Sequence, residues 1–247
     1  MTSAKRLVVA FDLYGTLLST DSIADSLAKI YGGDKAPSLA QLWRRYQLEY
    51  TWRINSMGQY RTFSEITRSA LGHAVAEHGL ELAADDASAL MHAYDALHIF
   101  PEIPAAVQLL QKNKDVVDAY VFSNGTDDMV GNSIRTSPEL GPHADDMFRA
   151  LITVDSVKCF KPDPRTYAHL VEKAGKRGRP ADVWVVSANP FDVVGAEAAG
   201  LRAAFIDRSG KGWIDRLDEV HMPSLVAGGV DQAIQLIFDS SVAPQST

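Results

Sequence analysis

Cysteine is nearly absent: Cys159 is the one thiol in 247 residues, so no internal disulfide can staple the fold. That agrees with a reducing compartment, and within "VKCFKP" the residue reads as a small apolar filler. Long apolar runs are missing too. No stretch reaches the roughly 18 to 20 residues that cross a bilayer, and "MTSAKR" leads into an apolar run too short for a secretory leader. The chain therefore reads as intracellular and cytoplasmic, with no membrane partner. Clustered positive charge is also lacking. The 24 Lys and Arg residues are scattered among 31 Asp and Glu, for a net charge of -7, which argues against a nucleic-acid surface. Any anionic ligand must then be held by individually placed cations. There is no internal repeat, and the seven histidines show neither metal-ligand spacing nor a paired catalytic acid. Low complexity is confined to the tail "SSVAPQST", which reads as a frayed terminus.

What the chain does have is a hydrophobic content of 46%, enough for a full core in one large domain or a core with an inserted subdomain. Five β-rich runs, "LVVAFD", "AYVFSNG", "LITVD", "VWVVSAN" and "AAFID", end on polar residues and alternate with helical patterns. That alternation predicts an α/β fold with a Rossmann-like parallel sheet, whose ligands collect at the carboxyl ends of the strands. Asp12, Ser123, Asn124, Asp155, Ser187 and Asn189 fall at such ends. From about Ser19 to Ile99 only helical signals occur, including "LAQLWRRYQLEYTWRINSM" and "ADDASALMHAYDAL". The expected division is a catalytic core of residues 1–18 and 99–247 and a helical cap of residues 19–98, with Pro101 and Pro104 marking the return to the core.

A carboxylate at a strand end can be a nucleophile, a base or a metal ligand, or it can merely cap the next turn. Asp12 is followed by Gly15, which permits a tight turn, and Thr16, whose hydroxyl can hold one carboxylate oxygen. The other strand ends add Ser123 and Asn124 in "VFSNG", Lys161 in "FKPDPRTY", and Ser187, Asn189 and Asp192 in "VSANPFD".

Together these four stretches resemble the haloacid dehalogenase superfamily, in the family's order and across the whole chain. The resemblance implies that Asp12 is the nucleophile. Phosphatases of the superfamily carry a second aspartate two residues on, as acid for the leaving group, and hold magnesium with acids of the fourth motif. Here those positions offer Tyr14 and one acid, Asp192, a poor donor set for a hard cation. The chain is more similar to the L-2-haloacid dehalogenases, which need no metal or other cofactor: "DLYGTL" matches their signature, and "LWRRYQLEYTW" their cap helix. Arg44 corresponds to the arginine that handles halide and carboxylate; Arg45 lies about 100° around the helix, so only one of the two points inward. Two departures concern the pocket, Ala188 where the family has a second serine and Phe191 in place of a tryptophan.

The resemblance implies hydrolysis of short-chain L-2-haloalkanoic acids to D-2-hydroxy acids. Asp12 attacks C2 opposite the halogen, and water then cleaves the ester at the Asp12 carbonyl. Arg44 and Asn124 cradle the halide, Lys161 keeps Asp12 ionised, and Thr16 and Ser187 fix its oxygens. Ser123 belongs to the same catalytic and substrate-contacting set. Tyr167 reaches the carboxylates from a helix beginning near Pro164, and Asn189 and Asp192 position and activate the water. Tyr14, Leu48, Trp52, Phe63 and Phe191 are candidates for the apolar wall around the substrate. Singly, several of these residues have structural roles available: turn formers for Ser123 and Asn124, a helix cap for Asn189, a first-turn acid for Asp192. Their joint order favours the site. The partner implied is a small halogenated carboxylate, and relatives suggest a homodimer with the Tyr- and Trp-rich cap helix as a reasonable contact. The alternatives are a magnesium-dependent phosphatase acting on a small phosphorylated metabolite and a non-catalytic binding protein on the same fold.

Overall fold

The structure is a computed structural model that describes residues 6–242. Most of the tail "SSVAPQST", residues 243–247, lies outside the described residues. Six strands form one parallel sheet: β1 (Leu7–Phe11), β2 (Val117–Ser123), β3 (Phe148–Thr153), β4 (Val183–Ser187), β5 (Arg202–Ile206) and β6 (Leu225–Ala227), in the spatial order β3-β2-β1-β4-β5-β6. This is the Rossmann-like arrangement that the alternating runs predict, with one short edge strand, β6, added to the five expected. Val8, Val9 and Ala10 of β1 and Val183, Val185 and Val186 of β4 are fully buried, because helices cover both faces of the central strands.

The strand order reverses between β1 and β4, and at such a switch point the connections leave in opposite directions and open a crevice above the carboxyl ends. Asp12 follows β1 and Ser187 ends β4, so the two flank that crevice. Around the sheet lie α5 (Ile103–Lys112), α6 (Asp127–Thr136), the short α7 (Ala144–Met147), α8 (Pro164–Lys173), α9 (Pro190–Ala198) and α10 (Val230–Val242). Thr126 caps α6 and Asp163 caps α8 with their side chains.

Between β1 and α5 the chain is helical: α1 (Ala24–Tyr31), α2 (Ala36–Ser56), α3 (Phe63–Glu77) and α4 (Ala84–Tyr94). α2 buries Leu39, Ala40, Trp43, Gln47, Thr51 and Ile54, a stripe at helical spacing that packs on α1 and α3. A reciprocal capping box between Thr62 and Glu65 starts α3. The outgoing and returning chains run side by side, with Ser19 N–H donating to His98 O at 2.7 Å and Phe100 N–H to Leu17 O at 3.3 Å. Among the described residues no helix is long and apolar enough to cross a membrane.

Two further contacts tie the helical insertion to the sheet end. Asn55 at the end of α2 grips the main chain of Phe160, donating to its carbonyl at 2.7 Å and accepting from its N–H at 3.0 Å. Tyr60 hydrogen-bonds Asp155 and stacks on Phe160 with ring centroids 5.3 Å apart. Asp155 is thus engaged by Tyr60 and by Lys158 at 3.1 Å, outside the cluster that the other strand ends form.

Candidate active site

The carboxylate of Asp12, 6% exposed, receives four donors. Its Oδ2 accepts from Thr16 Oγ1 at 2.8 Å, Asn189 Nδ2 at 2.7 Å and Ser187 Oγ at 3.3 Å. Its Oδ1 accepts from Lys161 Nζ at 3.2 Å. The turn that presents these groups depends on Gly15, whose φ of +90° would strain any side chain. The donors are themselves fixed: Thr16 Oγ1 accepts from Ala188 N–H at 2.9 Å and Ser187 Oγ from Asn189 N–H at 3.1 Å. Asn189 precedes α9 but makes no side-chain cap there, and it spends its amide on Asp12 instead.

Lys161, 1% exposed, uses all three ammonium hydrogens, on Asp12 Oδ1, Asp192 Oδ2 at 2.9 Å and Phe122 O at 2.7 Å. The Phe122 ring centroid lies 4.0 Å from Nζ. Asp192, fully buried, accepts at Oδ1 from Tyr167 OH at 2.9 Å. Burial pushes its pKa above the usual aspartate range, with the Lys161 cation opposing. The Tyr167 phenol is likewise pushed up, first by burial and then by the Asp192 charge, so it remains a donor. Tyr167 can approach because α9 carries Gly195 opposite it, where a Cβ would collide with the phenol and with Pro162.

The remaining polar candidates surround this cluster. Asn124 Oδ1 accepts the main-chain N–H of Lys161 at 2.9 Å, which fixes the amide and leaves Nδ2 to donate to a ligand. Ser123 Oγ accepts from Gly125 N–H at 3.1 Å and thus shapes the turn after β2. Arg44 comes in from α2, its Nη2 donating to Tyr14 O at 3.1 Å and Asn189 Oδ1 at 3.3 Å, while Arg45 is exposed and faces Glu77 at 3.9 Å. The inward choice between the two arginines follows from the same helical stripe that buries Trp43 and Gln47.

The apolar candidates divide into two groups. Tyr14, whose phenol burial pushes up, stacks on Phe63 at 5.9 Å and meets Tyr94 at 5.4 Å. Phe191 meets Trp52 edge to face at 5.6 Å, with Trp52 39% exposed, so this pair stands at the rim between helical insertion and sheet. Leu48 is half-buried one turn along α2 from Arg44.

Three contributors were not anticipated from the sequence. Gln47 binds Arg44, Asn55 holds the segment before Lys161, and Arg208 supports the turn after Asp12. Arg208 donates to Gly15 O at 3.3 Å and Thr16 O at 2.7 Å, pairs with Glu102 at 2.6 Å and lies 3.5 Å over the Phe100 ring. Gln47 was the most accessible to sequence reasoning, three residues after Arg44 and hence on the same helix face. Among the described residues no group of three or more His, Cys, Asp or Glu side chains is placed to hold a metal ion.

A family model described as haloacid dehalogenase-like hydrolase matches residues 7–200. The chain belongs to this family. It is 34% identical to haloacetate dehalogenase H-2 of Moraxella sp. (strain B) over 229 residues, 93% of this chain and 96% of that one. It is 36% identical to the (S)-2-haloacid dehalogenase of Xanthobacter autotrophicus over 200 residues, 81% of this chain and 74% of that one. Among solved structures it resembles the L-2-haloacid dehalogenase from Xanthobacter autotrophicus with chloropropionic acid covalently bound. The TM-score is 0.83 at 29% identity, covering 96% of this chain and 100% of the other. These likenesses span the sheet and the helical insertion alike, so the match extends beyond the Rossmann-like core.

Proposed function

We propose that the protein hydrolyses the carbon–halogen bond of short-chain L-2-haloalkanoic acids, giving D-2-hydroxy acids through an ester on Asp12, without a metal. The observation that carries this reading is the unequal grip on Asp12: three donors on Oδ2, one on Oδ1. Oδ1, engaged by one donor, has a lone pair free to aim at C2 and attacks it from the side opposite the halogen. The O–C2 bond forms as the carbon–halogen bond breaks, the halide leaves with the electron pair, and C2 inverts. Arg44 and the Nδ2 of Asn124 receive the departing anion.

Oδ2 then becomes the ester carbonyl oxygen, and its three donors are already placed for the negative charge that builds there when water adds to the carbonyl carbon. Asp192 takes the proton from that water, helped by the raised pKa that makes a buried carboxylate a stronger base. Collapse breaks the bond between the Asp12 carbonyl carbon and the ester oxygen, and that oxygen takes the proton back from Asp192 to become the product hydroxyl. The product leaves with the inverted C2 intact, and Asp12, which retains one oxygen from water, releases the other water proton to solvent. Lys161 bridges Asp12 and Asp192 at 3.2 and 2.9 Å and balances the charge of the two carboxylates, and the single acid of the fourth motif, Asp192, is a sparse donor set for a hard cation, which supports chemistry without a metal. Tyr14 offers a buried phenol where a phosphatase carries a carboxylic acid.

In this reading residues 19–98 are a cap that closes over residues 1–18 and 99–247, the substrate is the one partner the reaction needs, and the location is cytoplasmic. A homodimer joined through the cap helix fits the same reading. The test is halide release from L- and D-2-chloropropionate with a chelator present. Release from the L enantiomer alone is expected; magnesium-dependent phosphate release from p-nitrophenyl phosphate with no halide release would replace this reading with the phosphatase one.

A further inference from the structure

We propose that Gln47 sets the charge available at the anion site: it holds Arg44 with a neutral acceptor, so the guanidinium's charge is left for the substrate. This rests on the dehalogenase reading above. Other half-buried arginines of the chain are paired with acids, Arg6 with Asp118 at 2.8 Å and Arg208 with Glu102 at 2.6 Å. Arg44 is different. Its acceptors are Gln47 Oε1 at 2.6 Å, Tyr14 O at 3.1 Å and Asn189 Oδ1 at 3.3 Å, all uncharged oxygens. A desolvated cation without a counter-ion is costly, and an incoming anion removes that cost.

The orientation of the Gln47 amide is fixed by its surroundings. Gln47 is fully buried, and its Nε2 donates to Thr67 Oγ1 at 2.7 Å. Thr67 has committed its own hydroxyl hydrogen to Phe63 O at 2.7 Å, so its oxygen can only accept. The amide oxygen must therefore face Arg44 and the hydroxyl of Tyr94, which donates to it at 3.0 Å and which burial keeps protonated. Trp43 Nε1 closes the network on Thr67 O at 2.8 Å. Phe63 and Tyr94 at the ends of this chain are the rings that pack on Tyr14, so the charge and the apolar wall are set by one scaffold. A glutamate of the same shape could accept the same hydrogen bonds from Arg44 and Tyr94 while cancelling the charge.

That contrast gives the experiment: kcat and KM for L-2-chloropropionate, and the inhibition constant for added bromide, in wild type, Gln47→Glu and Gln47→Met. The expected kcat/KM is about 100-fold below wild type for Q47E, mostly through KM, and about tenfold below for Q47M, with weaker bromide inhibition in Q47E. If Gln47 served only to hold Arg44 in place, Q47E, which keeps the acceptor, would outperform Q47M. That inverted order overturns the inference. Should Q47E fail to fold, bromide inhibition of Q47M decides: a neutral replacement leaves the Arg44 charge in place, so its bromide constant is expected within about threefold of wild type, and a weakening of about tenfold or more overturns the inference. A wild type that releases no halide sinks the dehalogenase reading itself, which is a separate outcome.

Discussion

Asp12→Asn is expected to lower kcat for halide release from L-2-chloropropionate by on the order of 10⁴-fold or more, the scale on which removal of a nucleophile is felt. The amide matches the carboxylate in shape, so the fold should survive. Its carbonyl oxygen can still accept from Thr16, Ser187 and Asn189, the three donors now on Oδ2. Its nitrogen then faces Lys161 in place of the present Oδ1 acceptor, and two of the ammonium's three partners, Asp192 and Phe122 O, remain. The expected result is thus a folded protein with an unchanged circular dichroism spectrum and no turnover. Residual halide release within about tenfold of wild type would show that Asp12 positions the substrate and does not form a bond to it.

The second large effect falls on stability as well as activity. Lys161→Met removes the cation between Asp12 and Asp192 and leaves two carboxylates in a site where both are almost wholly buried. Breaking a buried pair in this way costs about 3–5 kcal/mol, far more than losing a surface ion pair, because the remaining charges keep their desolvation cost. The pH dependence has a definite sign. Burial already raises the pKa of Asp192 above the ordinary 3.8, and the opposing Lys161 charge is lost in the variant. A group whose pKa is higher in the folded protein favours folding below its unfolded value and loses that contribution as pH rises through the folded one. The deficit of K161M against wild type is therefore expected to be smallest near pH 3.8 and to grow toward neutrality. Urea midpoints measured across this range check it; a deficit independent of pH would mean that the lost contacts are steric. Asp192→Asn in the K161M background should recover part of the stability without recovering turnover.

Residues separated by most of the chain converge at this site, and the sequence makes some of them more legible than others. The central strands read clearly because burial on both faces forces near-continuous apolar runs, and each run stops where the chain meets the crevice, at Asp12, Ser123 and Ser187. β6 could not be read the same way: it has three residues, of which only Ala227 is buried, so no run develops. The polar residues at the strand ends were legible as a set, yet Asp155 belongs to the seam with Tyr60, since which strand-end carboxylate faces Lys161 depends on the fold of the segment between Val157 and Pro162.

Helix α2 shows the opposite limit. Periodicity places Arg44 and Gln47 on one face, but a buried amide and an exposed one look alike in a sequence; only the packing of α3 and α4 against α2 makes Gln47 a ligand of Arg44. Asn55 and Arg208 act on main-chain atoms of Phe160, Gly15 and Thr16, and main-chain acceptors leave no trace in side-chain identity. The positioning residues escape a sequence reading for that reason, whereas the groups gathered around Asp12 carry polar side chains that the motifs display.

A single turnover in water enriched in heavy oxygen, with enzyme in excess over L-2-chloropropionate, tests the central claim most directly. Through an ester on Asp12, the hydroxyl of the D-lactate product comes from the enzyme's carboxylate and carries ordinary oxygen, while the peptide containing Asp12 gains the label. Label in the lactate hydroxyl and none in that peptide would mean that water attacks C2 itself and that Asp12 is not the nucleophile.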